Sequence, residues 1–350
     1  MVKQFGNIAN ILNKELNMEY ILVTGGAGYV GSGLLRELLF QGYSVTCVDK
    51  LMFGGESLLD IWHNENFTFI KCDVNDWDKL NNVLNNNNFD AVIHLAAIVG
   101  DPACRMQSEL AEKTNWESSK WLLDKCIEIG IPKFVFASTC SNYGKMDDPE
   151  SYVDEDSVLA PVSLYAELKV KFEKYMLNEI NKNSNFSPTS LRFSTVYGLS
   201  PRMRFDLTVN EFTKDLALGR ELIIFGEQFW RPYCHVKDFS NAFITVLRSS
   251  IDKVAYNVFN VGDTSENYTK QMLIDEIKKV IPDSKIKYVD KNDDPRDYRV
   301  NSDKIKRELG FEITMRVPDG IKEIKRIILE GVIQDPEDQK YYNIPHERQD

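Results

Sequence analysis

Between Tyr20 and about Ser194, short apolar runs alternate with longer amphipathic stretches. Six runs predict strands: Tyr20–Thr24, Tyr43–Val48, Phe67–Cys72, Ala91–Leu95, Lys133–Ser138 and Thr189–Phe193. Apolar residues occupy nearly every position in them, as strands covered on both faces require. Strands of that kind separated by helical segments predict an α/β fold, a doubly wound parallel sheet. The asparagines at 85–88 mark a turn before the fourth strand. Beyond Thr195 the pieces become shorter, more polar and richer in arginine and aromatics, which predicts a smaller C-terminal α/β domain. The expected division is an extension at 1–18 with one short helix, a first domain at 19–195, and a second at 196–231 and 261–335. Residues 232–260, with a helical stretch at His235–Ser249, are expected to return to the first domain. The polar segment 336–350 is expected to be loosely held.

The first strand runs into Gly25-Gly26-Ala27-Gly28-Tyr29-Val30-Gly31 and then a helical pattern from Ser32. Glycines at 25, 28 and 31 permit a sharp turn, close approach of backbone to ligand, and close packing of helix on strand. The free N–H groups at the helix start favour a pyrophosphate. The second strand ends at Asp49, 18 residues after Gly31. A carboxylate there accepts hydrogen bonds from both hydroxyls of an adenine ribose and repels a 2′-phosphate. The first domain is therefore expected to be Rossmann-type and to bind NAD rather than NADP.

Composition narrows the partners. The chain has 350 residues, 43% hydrophobic and 27% charged, with a formal charge of −11. That length supplies ample core, and the acidic balance argues against nucleic acid or an anionic membrane as the main partner. No apolar run reaches the roughly 18 residues of a membrane span, and the first residues lack the regions of a signal peptide. A cytoplasmic location is expected. The six cysteines form no CxxC pair, and the four histidines lack metal-ligand spacing, so no metal is expected.

Ligands of such sheets lie at the carboxyl ends of the strands. Asp73-Val74, after the third strand, is placed to meet an adenine. Ala96-Ala97-Ile98-Val99-Gly100, after the fourth, lets a dinucleotide lie along the strand tips. The fifth strand leads into Ser138-Thr139-Cys140-Ser141-Asn142-Tyr143-Gly144, and a later helix opens with Tyr165-Ala166-Glu167-Leu168-Lys169. Tyrosine and lysine four apart share one helical face. A free tyrosine has a pKa of about 10, and a nearby ammonium together with a positive nicotinamide would lower it. Thr139 could share the proton and orient a substrate alcohol.

With these residues in view, the chain resembles the extended short-chain dehydrogenase/reductase superfamily, in its nucleotide-sugar epimerase/dehydratase branch. The likeness runs from about Tyr20 to about Glu330. Its anchors are TGGAGYVGS at 24–32, Asp49, Asp73-Val74, His94-Leu95-Ala96-Ala97, Asn115, Thr139 with Tyr143-Gly144, YAELK at 165–169, LRFSTVYG at 191–198 and RPYCHVKD at 231–238. The resemblance implies that Gly25, Gly28, Tyr29, Val30, Gly31, Asp49, Asp73, Val74, Leu95, Ala96, Ala97 and Asn115 serve the cofactor. It implies Tyr165 as catalytic base and acid, Lys169 as holder of the nicotinamide ribose, and Thr139 as hydroxyl partner. Arg231 and Arg296 fall where relatives clasp a nucleotide diphosphate, a task suited to the guanidinium fork. A nucleotide-diphosphate sugar is thus the implied substrate, and a homodimer the implied assembly. Trp116, Trp121, Leu122 and Leu123 are candidates for the dimer face or for covering the sheet.

Three departures bear on the substrate. In 4,6-dehydratases an aspartate and a glutamate follow the threonine; here Cys140 and Ser141 do, which disfavours elimination. Ser194-Thr195 stands where many sugar epimerases carry asparagine. The run Ser200-Pro201-Arg202-Met203-Arg204-Phe205-Asp206-Leu207, with 51–55 and 99–102, is similar to a subgroup containing GDP-heptose 4-dehydrogenases of surface-polysaccharide pathways. Cys140, Ser141, Thr195, Arg202 and Arg204 are accordingly expected at the substrate. The implied reaction is oxidation at C4, as epimerase or 4-dehydrogenase; a dehydratase or reductase, or a non-catalytic NAD sensor, stands as the alternative.

Overall fold

The computed structural model describes residues 19–146, 148, 151–178, 185–289 and 296–346; the helix expected within 1–18 lies outside them. Seven parallel strands form one sheet: β1 (Tyr20–Thr24), β2 (Ser44–Asp49), β3 (Phe67–Lys71), β4 (Ala91–His94), β5 (Lys133–Thr139), β6 (Ser187–Phe193) and β10 (Asn257–Val261). Their order is β10-β6-β5-β4-β1-β2-β3. Ile21 of β1 pairs with Val45 of β2 on one side and Ala91 of β4 on the other. The chain leaves β1 toward β2 and later crosses back to β4, so the connections diverge at the carboxyl end of β1. A crevice opens there, where such sheets bind ligands.

Helices α1 (Tyr29–Phe40), α2 (Trp77–Asn85), α3 (Asp101–Met106), α4 (Ser108–Glu112), α5 (Ser119–Ile129), α6 (Leu164–Met176) and α8 (Val236–Arg248) belong with this sheet. Leu34, Leu35 and Leu38 of α1 join Phe239 and Phe243 of α8 in the core on one face. Leu80 and Leu84 of α2, Leu122, Leu123 and Cys126 of α5, and Phe172 of α6 fill the other. Leu122 and Leu123 are fully buried, so they cover the sheet and are unavailable to a dimer face. Trp121 stacks on Trp77 at 5.9 Å, and Trp116 meets Tyr175 edge-on at 5.7 Å.

The second lobe contains β7 (Thr195–Tyr197), β9 (Trp230–His235) and β11 (Asn267–Thr269) in a three-stranded sheet, and β8 (Glu221–Ile224) paired with β12 (Lys285–Tyr288). Helices α7 (Thr208–Ala217), α10 (Lys270–Val280) and α12 (Val317–Leu329) complete its core. Residues 232–235, expected with the large sheet, pair instead with β7 and β11. The return is made by α8, by the short α9 (Ile251–Val254) and by β10; α11 (Asp303–Leu309) then packs on β10. Tyr29 joins the lobes: it opens α1, its ring lies in the second core, and its hydroxyl donates to Gly198 O at 2.6 Å.

Residues 336–346 are not loosely held; the rest of the expected tail lies outside the described residues. Tyr342 and Glu337 are buried. Lys214 of α7, 2% exposed, donates to Glu337 Oε1 at 2.8 Å and to the Tyr342 hydroxyl at 3.0 Å. Arg220 reaches the same carboxylate at 2.5 Å, and His346, stacked on Tyr342 at 3.6 Å, bonds its other oxygen. A buried ammonium needs counter-charge, and the polar tail supplies it by turning inward. Burial raises the Glu337 pKa, but bonds from Lys214, Arg220 and His346 outweigh it and hold the carboxyl down at about 2. Its stabilising contribution is therefore full above the ordinary glutamate value of about 4.3 and is lost as pH falls toward 2. Replacing Glu337 by Gln is expected to lower stability by about 1–3 kcal/mol at pH 7, since Asp215 still faces Lys214. The gap between variant and wild type in urea unfolding should narrow from pH 4.5 to 2.5.

Candidate active site

A cavity of about 1030 Å³ runs across the carboxyl ends of β1, β2, β4 and β5 and beneath the second lobe. Its floor is the glycine turn. Gly25 leaves β1 with φ +75°, and a Cβ there would sit 2.7 Å from Ala96 N. A Cβ on Gly31 would sit 2.4 Å from Gly25 O. The turn, α1 and the end of β4 thus meet at backbone contact, which side chains would prevent. Gly28 caps α1 and would bring a Cβ only to 3.3 Å from Gly25 O, leaving its cleft side open. Gly25, Gly28, Tyr29, Val30 and Gly31 all line the cavity.

Asp49, at the end of β2, accepts from Ala27 N at 3.0 Å and Leu51 N at 2.7 Å. Burial pushes its carboxyl up, and those two N–H groups pull it back. Each oxygen keeps a second lone pair, so the side chain braces the turn and can still accept from a ribose. Asp73, Val74, Leu95, Ala96 and Ala97 line the same half. Asn115, expected at the cofactor, is not part of the lining. Its amide instead accepts from Ile98 N at 2.8 Å and donates to Ile98 O at 2.9 Å, so it positions the loop after β4 from behind.

Tyr165 and Lys169 lie on α6, which Ser163 caps, and both line the cleft with Thr139 from the end of β5. Lys169 Nζ donates to Ala137 O at 2.7 Å and lies 4.5 Å from the Phe136 ring centroid and 5.8 Å from that of Tyr165. Burial pulls its ammonium down to about 8. Burial pushes the Tyr165 phenol up, with Cys104 and Asp101 adding to it. Arg204 pulls the other way, but desolvation outweighs it and the phenol stays above the ordinary tyrosine value. Thr139 Oγ accepts from Ser141 N at 3.1 Å, which leaves its own proton free to donate.

The expected substrate contacts divide. Ser141, Thr195, Arg202, Arg204 and Arg296 line the cavity. Cys140 does not: it is buried beside Tyr143 and Tyr298, its Sγ donates to Arg192 O at 3.2 Å, and burial pushes the thiol up. Cys140 opens the 3-10 turn that follows β5, Cys140–Tyr143, and there its side chain enters the core. Arg231 does not line the cavity either; Nη1 donates to Trp230 O at 2.6 Å, and Cζ lies 5.2 Å from the Tyr298 ring that does. Arg296 pairs with Asp101 at 2.9 Å, and Arg204 makes a two-pronged pair with Asp206 at 2.8 and 2.9 Å.

Several lining residues carry no sequence signal of their own. Asn343 and Ile344 come from the inward-turned tail, where Asn343 N donates to Asp206 Oδ2 at 3.1 Å. Asp101 is held by Ser163, whose hydroxyl donates to it at 2.6 Å. Among the described residues no three His, Cys, Asp or Glu side chains gather as a metal would need, and no helix is long and apolar enough to cross a membrane.

A seven-stranded doubly wound sheet with a bare glycine cradle, an acid at the end of β2 and a Tyr–Lys pair at the inner end defines a dinucleotide-dependent enzyme of the Rossmann class. Residues 21–262 match the model of the NAD dependent epimerase/dehydratase family, and the chain belongs to that family. NAD is its cofactor. The residues present fit it: the cradle admits no Cβ, and a buried guanidinium facing the cleft, Arg202, has no partner on Nε or Nη2. The UDP-glucose 4-epimerase of Bacillus subtilis is 27% identical over 317 residues, covering 83% of this chain and 91% of that protein. A Thermotoga maritima UDP-glucose 4-epimerase, solved with UDP-glucose, superposes with a TM-score of 0.78 at 27% identity, over 89% of this chain and 99% of that one. A Bacillus cereus UDP-glucuronic acid 4-epimerase, solved with UDP-glucuronic acid and NAD, gives 0.77 at 26% identity and the same coverage.

Proposed function

We propose that the protein oxidises the C4 alcohol of a nucleotide-diphosphate sugar, as an epimerase or a 4-dehydrogenase that makes sugars for surface polysaccharides. The observation that carries this reading is the grouping of Tyr165, Lys169 and Thr139 at the inner end of a cavity large enough for two nucleotides. Tyr165 takes the C4 hydroxyl proton. Thr139 orients that hydroxyl with a proton its own acceptor bond leaves free. Lys169, charged below about pH 8, supplies part of the positive field a phenolate needs in a buried site. NAD, when bound, accepts the C4 hydrogen with its electron pair. Arg204 and Arg296 stand farther along the wall as candidates for the sugar-linked diphosphate.

Elimination of water fits less well. The positions where a dehydratase would carry its acid and base hold Ser141, a hydroxyl, and Cys140, whose thiol is turned into the core. The 4-epimerases named above favour chemistry at C4. Incubation with UDP-, GDP-, CDP- and dTDP-sugars, followed by NMR, tests the proposal. An inverted C4 alcohol identifies the epimerase and a C4 ketone the dehydrogenase; no product from any of them overturns both.

A further inference from the structure

We propose that Arg202 is a cofactor clamp, its guanidinium closing on the pyrophosphate of NAD across from the glycine turn. This rests on the cofactor and not on the identity of the sugar. It also moves Arg202 away from the substrate, where the sequence places it.

The segment that carries Arg202 is tied to the start of α1. Arg202 N donates to Ser32 Oγ at 3.3 Å, Ser32 Oγ meets Ser200 Oγ at 3.0 Å, and Ser200 Oγ donates to Tyr29 O at 2.5 Å. The guanidinium carbon lies 4.1 Å from the ring centroid of Phe53, in the loop that Asp49 pins through Leu51 N. Ser32, Tyr29 and Phe53 all belong to the half of the cleft built from β1, α1 and β2. Tyr165 and Thr139 arise from α6 and β5 instead.

Arg202 is 6% exposed, yet its Nε and Nη2 are buried and unpartnered while the residue lines the cavity. Buried guanidinium N–H groups are nearly always paired, because leaving them unmade is expensive. Arg204 does not relieve this: its fork is occupied by Asp206, and its charge repels. Burial and Arg204 together pull the Arg202 pKa down to about 10, the direction expected of a cation lacking its anion. Beside it, the twelve-residue α1 presents its free N–H groups, which favour phosphate. Helix start and guanidinium fork thus flank one space, and a dianionic pyrophosphate satisfies both.

The test is direct binding of NAD, ADP and adenosine, without sugar, to nucleotide-free wild type, Arg202→Met and Arg202→Lys. Losing a charge-assisted pair predicts a fall of about tenfold to a hundredfold in NAD and ADP affinity for Arg202→Met. Adenosine affinity should not change. Arg202→Lys, which keeps the charge but not the fork, should fall between. Melting of nucleotide-free Arg202→Met should occur at or above the wild-type temperature, since an unpaired buried charge has gone. Unchanged NAD and ADP affinity overturns the proposal, as does a loss shared equally by adenosine. A lower melting temperature with unchanged NAD affinity shows a structural role and overturns it too.

Discussion

Replacing Tyr165 by Phe is expected to reduce sugar turnover by about 10²–10⁴-fold, the usual contribution of a positioned acid–base group, while NAD affinity and melting temperature stay near wild type. Tyr165 is half-buried in the cleft wall, and its ring, which the substitution keeps, does the packing. Burial together with Cys104 and Asp101 holds Tyr165 in its neutral form before ligands bind. Its ionisation therefore depends on positive charge arriving close by. Lys169 provides a fixed part of that charge from the same helical face, steadied by Ala137 O and the Phe136 ring. A second positive group must add to it, and the nicotinamide of bound NAD⁺ has the right sign. Tyrosinate absorbance near 295 nm should accordingly be absent in the nucleotide-free protein at pH 7. It should rise when NAD⁺ is added to wild type and fail to rise in Tyr165→Phe. Turnover measured by product NMR that survives the substitution would overturn the role proposed for Tyr165, whereas NAD binding with no sugar turnover in the wild type would favour a protein that senses NAD without using it.

The second large effect is expected at Gly31, whose replacement by Ala should cut NAD affinity at least tenfold and destabilise the protein by about 1–3 kcal/mol. A Cβ there would lie 2.4 Å from Gly25 O, 2.6 Å from Gly26 Cα and 2.9 Å from Gly26 C. All three are backbone atoms, so no side chain can swing aside. Relief requires α1 to lift from the turn, which moves the N–H groups that face the pyrophosphate. Gly33 is the internal control. Two residues on in the same helix, its Cβ would meet only Ser240 Oγ at 3.7 Å. Gly33→Ala should therefore bind NAD as wild type does and gain about 0.5–1 kcal/mol from the loss of glycine flexibility in a helix. Equilibrium unfolding and NAD titration of the pair would check both; equal behaviour of the two variants would refute the close-packing account.

Much of this site was legible before the fold was known because its signals are local. The glycine spacing, the acid after β2 and the Tyr–Lys pair each lie within one turn or one helical face. Strand boundaries are close where apolar residues dominate, as in β1 and β4, while β6 is buried throughout yet carries Ser187, Thr189, Ser190 and Arg192 and begins two residues before its expected start. Cys140, expected at the substrate, falls in the core because β5 gives way to a tight 3-10 turn at that residue, and composition is silent on where a turn aims each side chain. Asn115, expected at the cofactor, lies outside the cleft lining and holds Ile98 instead, a contact that no local pattern announces. The resemblance sets Arg231 and Arg296 at a substrate diphosphate; in the fold Trp230 and Tyr298 are what Arg231 meets, and Asp101 is what Arg296 meets.

The sequence by itself determined the α/β class, the dinucleotide cradle with its preference for NAD, and the residues able to move a proton. Those follow from period, from glycine's missing Cβ and from chemistry carried by single side chains. Tertiary structure alone decided that the tail is an integral wall of the cavity, since its polar residues answer a buried lysine 123 residues away. It alone decided that Arg204 and Arg296 meet carboxylates, while Nε and Nη2 of Arg202 lie buried without a partner. Charge pairing between distant segments has no period and no fixed spacing, so only the folded chain brings Lys214 to Glu337 and Arg296 to Asp101, and leaves Arg202 facing the cleft.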